Sequence, residues 1–286
     1  MDEPQNCNDI ITHLKESRQK LRNSWLARLS DLSSDMLALL GKEWPEITAL
    51  RRRKIAIRLV ELAEEDVTLN FDNIFKAILK DPDKEVRLQA IHGLWENEQP
   101  SLAKSLIQMM VSDQSSEVQA AATQALGKFA LLAECQELEP DLASELQKAL
   151  LCVINTKSKT EEVKRRALES VAPLNLPETT IAIRNAYQEG NLKFKASAIY
   201  AMGKNCDPRW LPVLIDGLKS KSAEIRYEAA YACGEMEAES SVPDLARLLD
   251  DPDAEVQLAS VQALGKIGSK SARESLNKCL INPREA

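Results

Sequence analysis

Groups that do chemistry are scarce in this chain. Histidine occurs twice, at His13 and His92 in unrelated segments, and aromatic residues make up 4% of the sequence. There is no Gly-rich phosphate loop, no Gly-x-Ser-x-Gly elbow and no Cys/His pairing with catalytic spacing, so the common constellations for phosphoryl and acyl transfer are missing. The six cysteines (Cys7, Cys135, Cys152, Cys206, Cys233 and Cys279) are scattered without a Cys-x-x-Cys pair. That excludes the spacing of a zinc site or a disulfide framework, and they read as buried free thiols in a reducing cytoplasm. Positive charge is in deficit, with 37 Lys and Arg against 44 Asp and Glu and a net charge of −7. A general nucleic-acid binder needs a basic stripe to displace counterions, so that class is disfavoured. No apolar run approaches the ~20 residues of a membrane span, and the acidic start Met1-Asp2-Glu3-Pro4-Gln5 has no apolar stretch behind it. Neither a signal peptide nor a membrane helix is expected, and the chain reads as cytoplasmic.

What the chain does have is a phrase that returns. Glu85-Val86-Arg87-x-x-Ala90-x-x-Gly93-Leu94 recurs as Glu117-Val118-Gln119-x-x-Ala122-x-x-Ala125-Leu126-Gly127, and further copies start at Glu162, Lys193, Glu224 and Glu255. The last three starts are 31 residues apart and the first two 32. A period of this size marks a stacked array in which no unit buries its own apolar face. At 286 residues a globular chain would hold one or two domains, but an array grows by addition.

Each unit reads as helix, tight turn, helix. Around Val242-Pro243-Asp244-Leu245-Ala246-Arg247-Leu248-Leu249 the proline suits the first turn of a helix, where a missing N–H costs nothing. Asp250-Asp251-Pro252-Asp253 then breaks the chain, Asp253 is placed to cap a second helix, and Gly265 is expected to close it. With the second helices in register, one column reads Val86, Val118, Val163, Phe194, Ile225 and Val256. Four residues on it reads Ala90, Ala122, Ala167, Ala198, Ala229 and Ser260, and four further Leu94, Leu126, Val171, Met202, Cys233 and Leu264. This is the i, i+4, i+8 stripe of a buried face, with a small column that admits a neighbouring helix.

The segments Asp81-Pro82-Asp83-Lys84-Glu85-Val86-Arg87 and Asp251-Pro252-Asp253-Ala254-Glu255-Val256-Gln257, with Ala and Leu-Gly following, resemble HEAT repeats of the phycobilisome-lyase-like type. The resemblance implies an all-α, armadillo-like fold: a right-handed α-solenoid, or superhelix, of about seven HEAT-like helix-turn-helix repeats. Second-helix phrases would start at 51, 85, 117, 162, 193, 224 and 255, the first carried by Arg51-Arg52-Arg53-Lys54-Ile55-Ala56. Residues 1–50, with Trp25 and Trp44, would form an atypical helical cap, 271–281 a closing helix and 282–286 a tail. The interval from 117 to 162 is about 13 residues longer than its neighbours, with the surplus near 131–140. Two readings fit that surplus, an extended helix pair with a solvated corner or an interaction loop using Leu131, Leu132 and Leu138.

HEAT-like deoxyhypusine hydroxylases carry repeated His-Glu pairs that hold two irons. Here His13 precedes Leu14 and His92 precedes Gly93, so that activity is not expected, and neither a metal nor a cofactor is implied. HEAT-like DNA glycosylases depend on a basic face that the acidic balance does not supply. The leading expectation is therefore a non-catalytic scaffold or adaptor that binds a protein or peptide in the concave face of the solenoid. The alternative is a bilin-lyase-like chaperone or lyase subunit handling a linear tetrapyrrole, and fold analogy does not decide between them.

In HEAT-like solenoids the second-helix positions opposite the buried stripe line the concave face. The candidate partner-binding residues there are His92, Gln124, Arg166, Glu169, Tyr200, Lys204, Tyr227, Glu228, Tyr231 and Gln262. Tyr200 and Tyr231, one repeat apart, form the most distinctive local surface, since tyrosine gives large contact area at low entropic cost. The bland reading is that they pack against each other as a ladder. Three further features read as structural. Arg51-Arg52-Arg53-Lys54, diluted by nearby glutamates, reads as a solvated face. Trp95, which stands where other repeats have glycine, reads as a corner-packing residue, and Trp210 as packing on the adjacent repeat. Arg87 and Arg226 read as inter-repeat hydrogen-bond donors, with Asp83 in ion-pair reach of Arg87.

Overall fold

A computed structural model describes residues 7–16 and 20–281. The first six residues and 17–19 of the expected cap, and the whole 282–286 tail, lie outside the described residues. The chain divides into two compact units, Met1–Ala125 and Leu126–Ala286, and every regular element among the described residues is helical.

The first unit holds α1 (Cys7–Leu14), α2 (Asn23–Ala27), α3 (Ser34–Glu43), α4 (Ala49–Glu65), α5 (Asp72–Ile78), α6 (Lys84–Gly93), α7 (Pro100–Ser112) and α8 (Ser116–Ala125). The second holds α9 (Gly127–Glu134), α10 (Pro140–Asn155), α11 (Glu161–Val171), α12 (Pro177–Glu189), α13 (Leu192–Asn205), α14 (Leu211–Gly217), α15 (Ala223–Glu235), α16 (Val242–Leu248), α17 (Ala254–Ile267) and α18 (Lys270–Ile281). The recurring phrase lies on α6, α8, α11, α13, α15 and α17, each of which packs on the helix before it. The apolar columns are buried along their length except at Phe194, which is half-buried at the start of α13. The surplus near 131–140 is α9 plus a short turn. Phe129 and Ala130 of α9 are buried, Leu131 is 54% exposed, and Leu138 is buried in the turn.

The Asp-Pro-Asp break does two jobs. Asp83 and Asp253 accept hydrogen bonds from the backbone N–H groups of Glu85 and Val86, and of Glu255 and Val256, which caps α6 and α17 as the spacing predicts. Two residues into the phrase, a long polar side chain reaches back to a carbonyl in the break. Arg87 donates to Asp81 O (2.7 Å), Gln119 to Asp113 O (2.5 Å), Arg226 to Ser220 O (2.9 Å) and Gln257 to Asp251 O (2.6 Å). A tight turn would otherwise leave those carbonyls without a donor. The two arginines also fork onto the next repeat, Arg87 onto Asp113 and Arg226 onto Asp251. Asp83, expected beside Arg87, is instead held by Arg53, whose Nε lies 2.9 Å from Oδ1.

Gly265 does not close α17. The helix runs on to Ile267 and leaves through Gly268, whose φ of +58° is the left-handed conformation that favours glycine. The glycine of the phrase serves a different end, visible at Gly203 and Gly234. A Cβ on Gly203 would stand 2.6 Å from Ala232 Cα, and one on Gly234 2.8 Å from Ala263 Cα. These glycines let α13 and α15, and α15 and α17, come into backbone contact.

Only half of the basic cluster is a solvated face, with Arg53 half-buried and Lys54 exposed. Arg51 and Arg52 are buried; Arg52 donates to Ile47 O (2.6 Å) and to Asp81 Oδ1 (3.3 Å), and Trp44 donates its indole N–H to Asp81 Oδ2 (2.6 Å). Asp81, itself buried, thus ties α4 and the turn after α3 to the next break, because a buried carboxylate must find donors. Of the expected buried thiols only Cys233 is buried. Cys135 and Cys206, at the ends of α9 and α13, and Cys152 on α10 are exposed, and the side chains of Cys7 and Cys279 lie outside the described residues. Trp210 is buried and donates to Asn205 Oδ1 (3.1 Å), whereas Trp95 is 67% exposed and is no corner-packing residue.

Candidate functional site

Eight of the ten candidate residues lie in the second unit, on α11, α13, α15 and α17, while His92 and Gln124 lie in the first, exposed on α6 and α8. The 31-residue spacing of α13 and α15 puts Tyr200 and Tyr231 side by side. Their rings stack nearly parallel, 5.8 Å between centroids and 8° between planes. Lys204, one turn after Tyr200, holds its ammonium 5.8 Å from the Tyr200 centroid and 5.2 Å from that of Tyr231. Lys266 stands 5.2 Å from the Tyr231 centroid. All three distances suit attraction between a cation and an aromatic face. Glu235 accepts from Lys204 (2.6 Å) and from Lys266, so one carboxylate spans the two lysines. Burial alone would lower the Lys204 pKa, but the Glu235 hydrogen bond and the tyrosine neighbours outweigh it and raise it. Glu235 is likewise driven up by burial and, on balance, down by its two lysines.

The other end of the face is a charged lattice. Arg166 bridges Glu162 (2.8 Å) and Glu169 (2.9 Å) along α11. Arg165 donates to Ser197 Oγ (2.9 Å), and the Ser197 hydroxyl donates to Glu169 Oε1 (2.6 Å), which carries the lattice from α11 to α13. Beside it sits Glu228 of α15, half-buried and with no hydrogen bond or ion pair among the described residues. Burial pushes its carboxyl up to about 7, with the charges of Glu169 and Glu224 adding to the shift and Arg165 and Arg166 opposing it. A carboxyl poised there is a common mark of a functional site. Tyr227, one residue before it, is 36% exposed and its phenol is raised mainly by burial.

Arg166 and Glu169 are thus brought together, as are Tyr200, Tyr231 and Lys204, and Glu228 lies in the field of the first pair. Gln262 is exposed on α17. Ser197, Glu235 and Lys266, which fall in the same second-helix columns as the candidates, complete the face together with Arg165, which lies outside those columns. Column arithmetic places Lys204, Glu235 and Lys266 at one position on three successive second helices, whereas Arg165 joins the face only through its reach to Ser197. Among the described residues no group of three or more His, Cys, Asp and Glu side chains is placed to hold a metal ion, and no helix is long and apolar enough to cross a membrane.

Deoxyhypusine hydroxylase of Candida albicans is 28% identical over 113 residues, which is 39% of this chain and 35% of that protein. The chain therefore spans about a third of that relative's length. Among solved structures, the CpcE–CpcF complex of phycocyanin lyase from Nostoc sp. PCC7120 superposes with a TM-score of 0.59, 15% identity, and coverage of 91% of this chain and 94% of that one. The karyopherin Kap121p bound to Pho4p gives a TM-score of 0.51 at 17% identity, covering 95% of this chain and 35% of the karyopherin. Likeness at these identities is likeness of fold, and fold is shared by proteins of unrelated function. The family model described as HEAT repeats matches residues 72–152 and 211–286, more than half of the sequence, and the chain belongs to the HEAT-repeat family as an all-α repeat protein.

Proposed function

We propose that the chain is a non-catalytic scaffold that binds a protein or peptide segment on the second-helix face of residues 126–286. The observation that carries this reading is the paired Tyr200 and Tyr231 rings under Lys204 and Lys266, next to a Glu228 carboxyl without a partner among the described residues. Flat rings and fixed charges of both signs suit recognition of an extended chain, since aromatic anchors supply area while neighbouring charges set register. Gln262 belongs to the same column and is proposed as an extension of that face, while His92 and Gln124 hold the matching position on second helices of the first unit and are proposed as contact residues there. A net charge of −7 favours a protein partner over nucleic acid. Kap121p is a HEAT-type relative seen with a protein partner, Pho4p, in keeping with this use of the fold.

The test is a pull-down with identification of the captured protein, comparing the parent chain with Tyr200→Ala/Tyr231→Ala. Capture should fall at least about tenfold, as for an interface hot spot, with the melting temperature little changed. Loss of the folded state in the double variant would make the rings a packing ladder and remove them from binding. The alternative, a bilin-lyase-like role, predicts a new visible absorbance band on mixing with a linear tetrapyrrole, and an unchanged spectrum at saturating pigment eliminates it.

A further inference from the structure

The first unit carries a surface where two of the second-helix columns, at His92 and Glu96, meet the end of α4 and the loop after it. The end of α4, the loop after it, α5 and the turn after α6 enclose a cleft of about 510 Å³. Its floor is closed by Phe71 and Phe75, buried and set edge to face at 6.4 Å. Gly93 lies against that floor, and a Cβ there would stand 2.4 Å from the Phe75 ring, so a larger residue would have to displace the ring. The rim is apolar and turned outward, with Trp95 67% exposed and Val67 93% exposed. A single exposed apolar side chain is ordinary, but two on the edge of one groove make a contact surface.

The charge on this cleft has one sign. Glu64, Asp72 and Glu96 line it, and no lysine or arginine does. Asp72 accepts a hydrogen bond from Asn97, whereas Glu64 and Glu96 have neither a hydrogen bond nor an ion pair among the described residues. Elsewhere in the same unit acidic groups are tied to arginines, as Asp83 is to Arg53, Asp113 to Arg87 and Glu65 to Arg58. An exposed indole beside unpaired carboxylates is suited to a cation, held by the ring face and by charge together. The outward-facing rim favours a segment of chain lying across the cleft over a small molecule enclosed by it.

We propose that this cleft is a second docking site, independent of the tyrosine face, for a basic linear segment of a partner protein: an apolar side chain over Val67 with a lysine or arginine next to it against Trp95, Glu64 and Glu96.

The experiment is a random decapeptide display selection on the full chain, followed by titration of a dye-labelled selected peptide. Enrichment of Lys or Arg within two residues of a large apolar side chain is expected. The selected peptide should bind Trp95→Ala at least about tenfold more weakly and Glu64→Gln/Glu96→Gln several-fold more weakly, with binding weakening as salt rises. Tyr200→Ala/Tyr231→Ala should leave that affinity unchanged, which separates this site from the one proposed above. No enriched sequence, enrichment of acidic or uncharged sequences, or basic peptides that bind Trp95→Ala and the double glutamine variant as well as the parent would each overturn the proposal.

Discussion

Glu228 is where the proposed binding face meets the energetics of the fold. Its folded pKa of about 7 lies above the ordinary 4.5, so the folded state holds the proton more tightly than the unfolded chain does. The favourable contribution is therefore complete below about pH 4.5 and is lost as pH rises through about 7. Glu228→Gln, which keeps the shape and removes the ionisation, should raise the melting temperature at pH 8 and change it little at pH 5. An equal shift at both pH values would show that burial of the charge is not the cause. The same residue shows why sequence reasoning reaches only part of such a site. Its column position was legible, but its state depends on Glu169 and Arg166, some 60 residues earlier, and on Glu224, one turn before it. The Arg51-Arg52-Arg53 run failed for the same reason: its carboxylates, Asp81 and Asp83, lie about 30 residues on, out of view of any local count of charges.

Helices and breaks were the most legible parts of the molecule, because capping and periodicity are local. The cap at Asp253, the Pro243 start of α16 and the buried Val, Ala and Leu columns follow from chemistry within a few residues. Gly265 was misread as a helix exit because the exit is Gly268, three residues on, and what the phrase glycine does at Gly203 and Gly234 depends on Ala232 and Ala263 in the next repeat. This gives a sharp pair of substitutions at one position of the motif. Gly234→Ala drives a Cβ to 2.8 Å from Ala263 Cα, and backbone has no rotamer by which to yield. It should cost about 1–3 kcal/mol by chemical denaturation. Gly265→Ala meets nothing within 4 Å and should be neutral or stabilise by up to ~1 kcal/mol, since alanine is the better helix former. If both substitutions cost the same, close helix approach is not what the glycine serves.

At the scale of the whole chain, the interior is built between repeats. In the second unit, one continuous apolar cluster runs from Leu168 through Trp210 and Leu245 to Ala272. No single repeat contains that cluster, which is why composition gave so little hint of a core while periodicity gave a clear one. The backbone contacts at Gly203 and Gly234 carry a consequence for how such a chain changes length. Ala232 and Ala263 occupy the same place on their helices, so the surface that receives Gly203 is duplicated one period later. Excising residues 224–254 would set Gly203 against Ala263 with the phase of every column kept. The shortened protein should retain its helical circular dichroism and a cooperative melt at lower temperature, whereas removing residues 224–256, which moves every later column by two places, should abolish the melt. The glycine–alanine contact behaves as a standard coupling, and the stretch between two couplings is an interchangeable part that the chain can lose or copy without redesigning its neighbours.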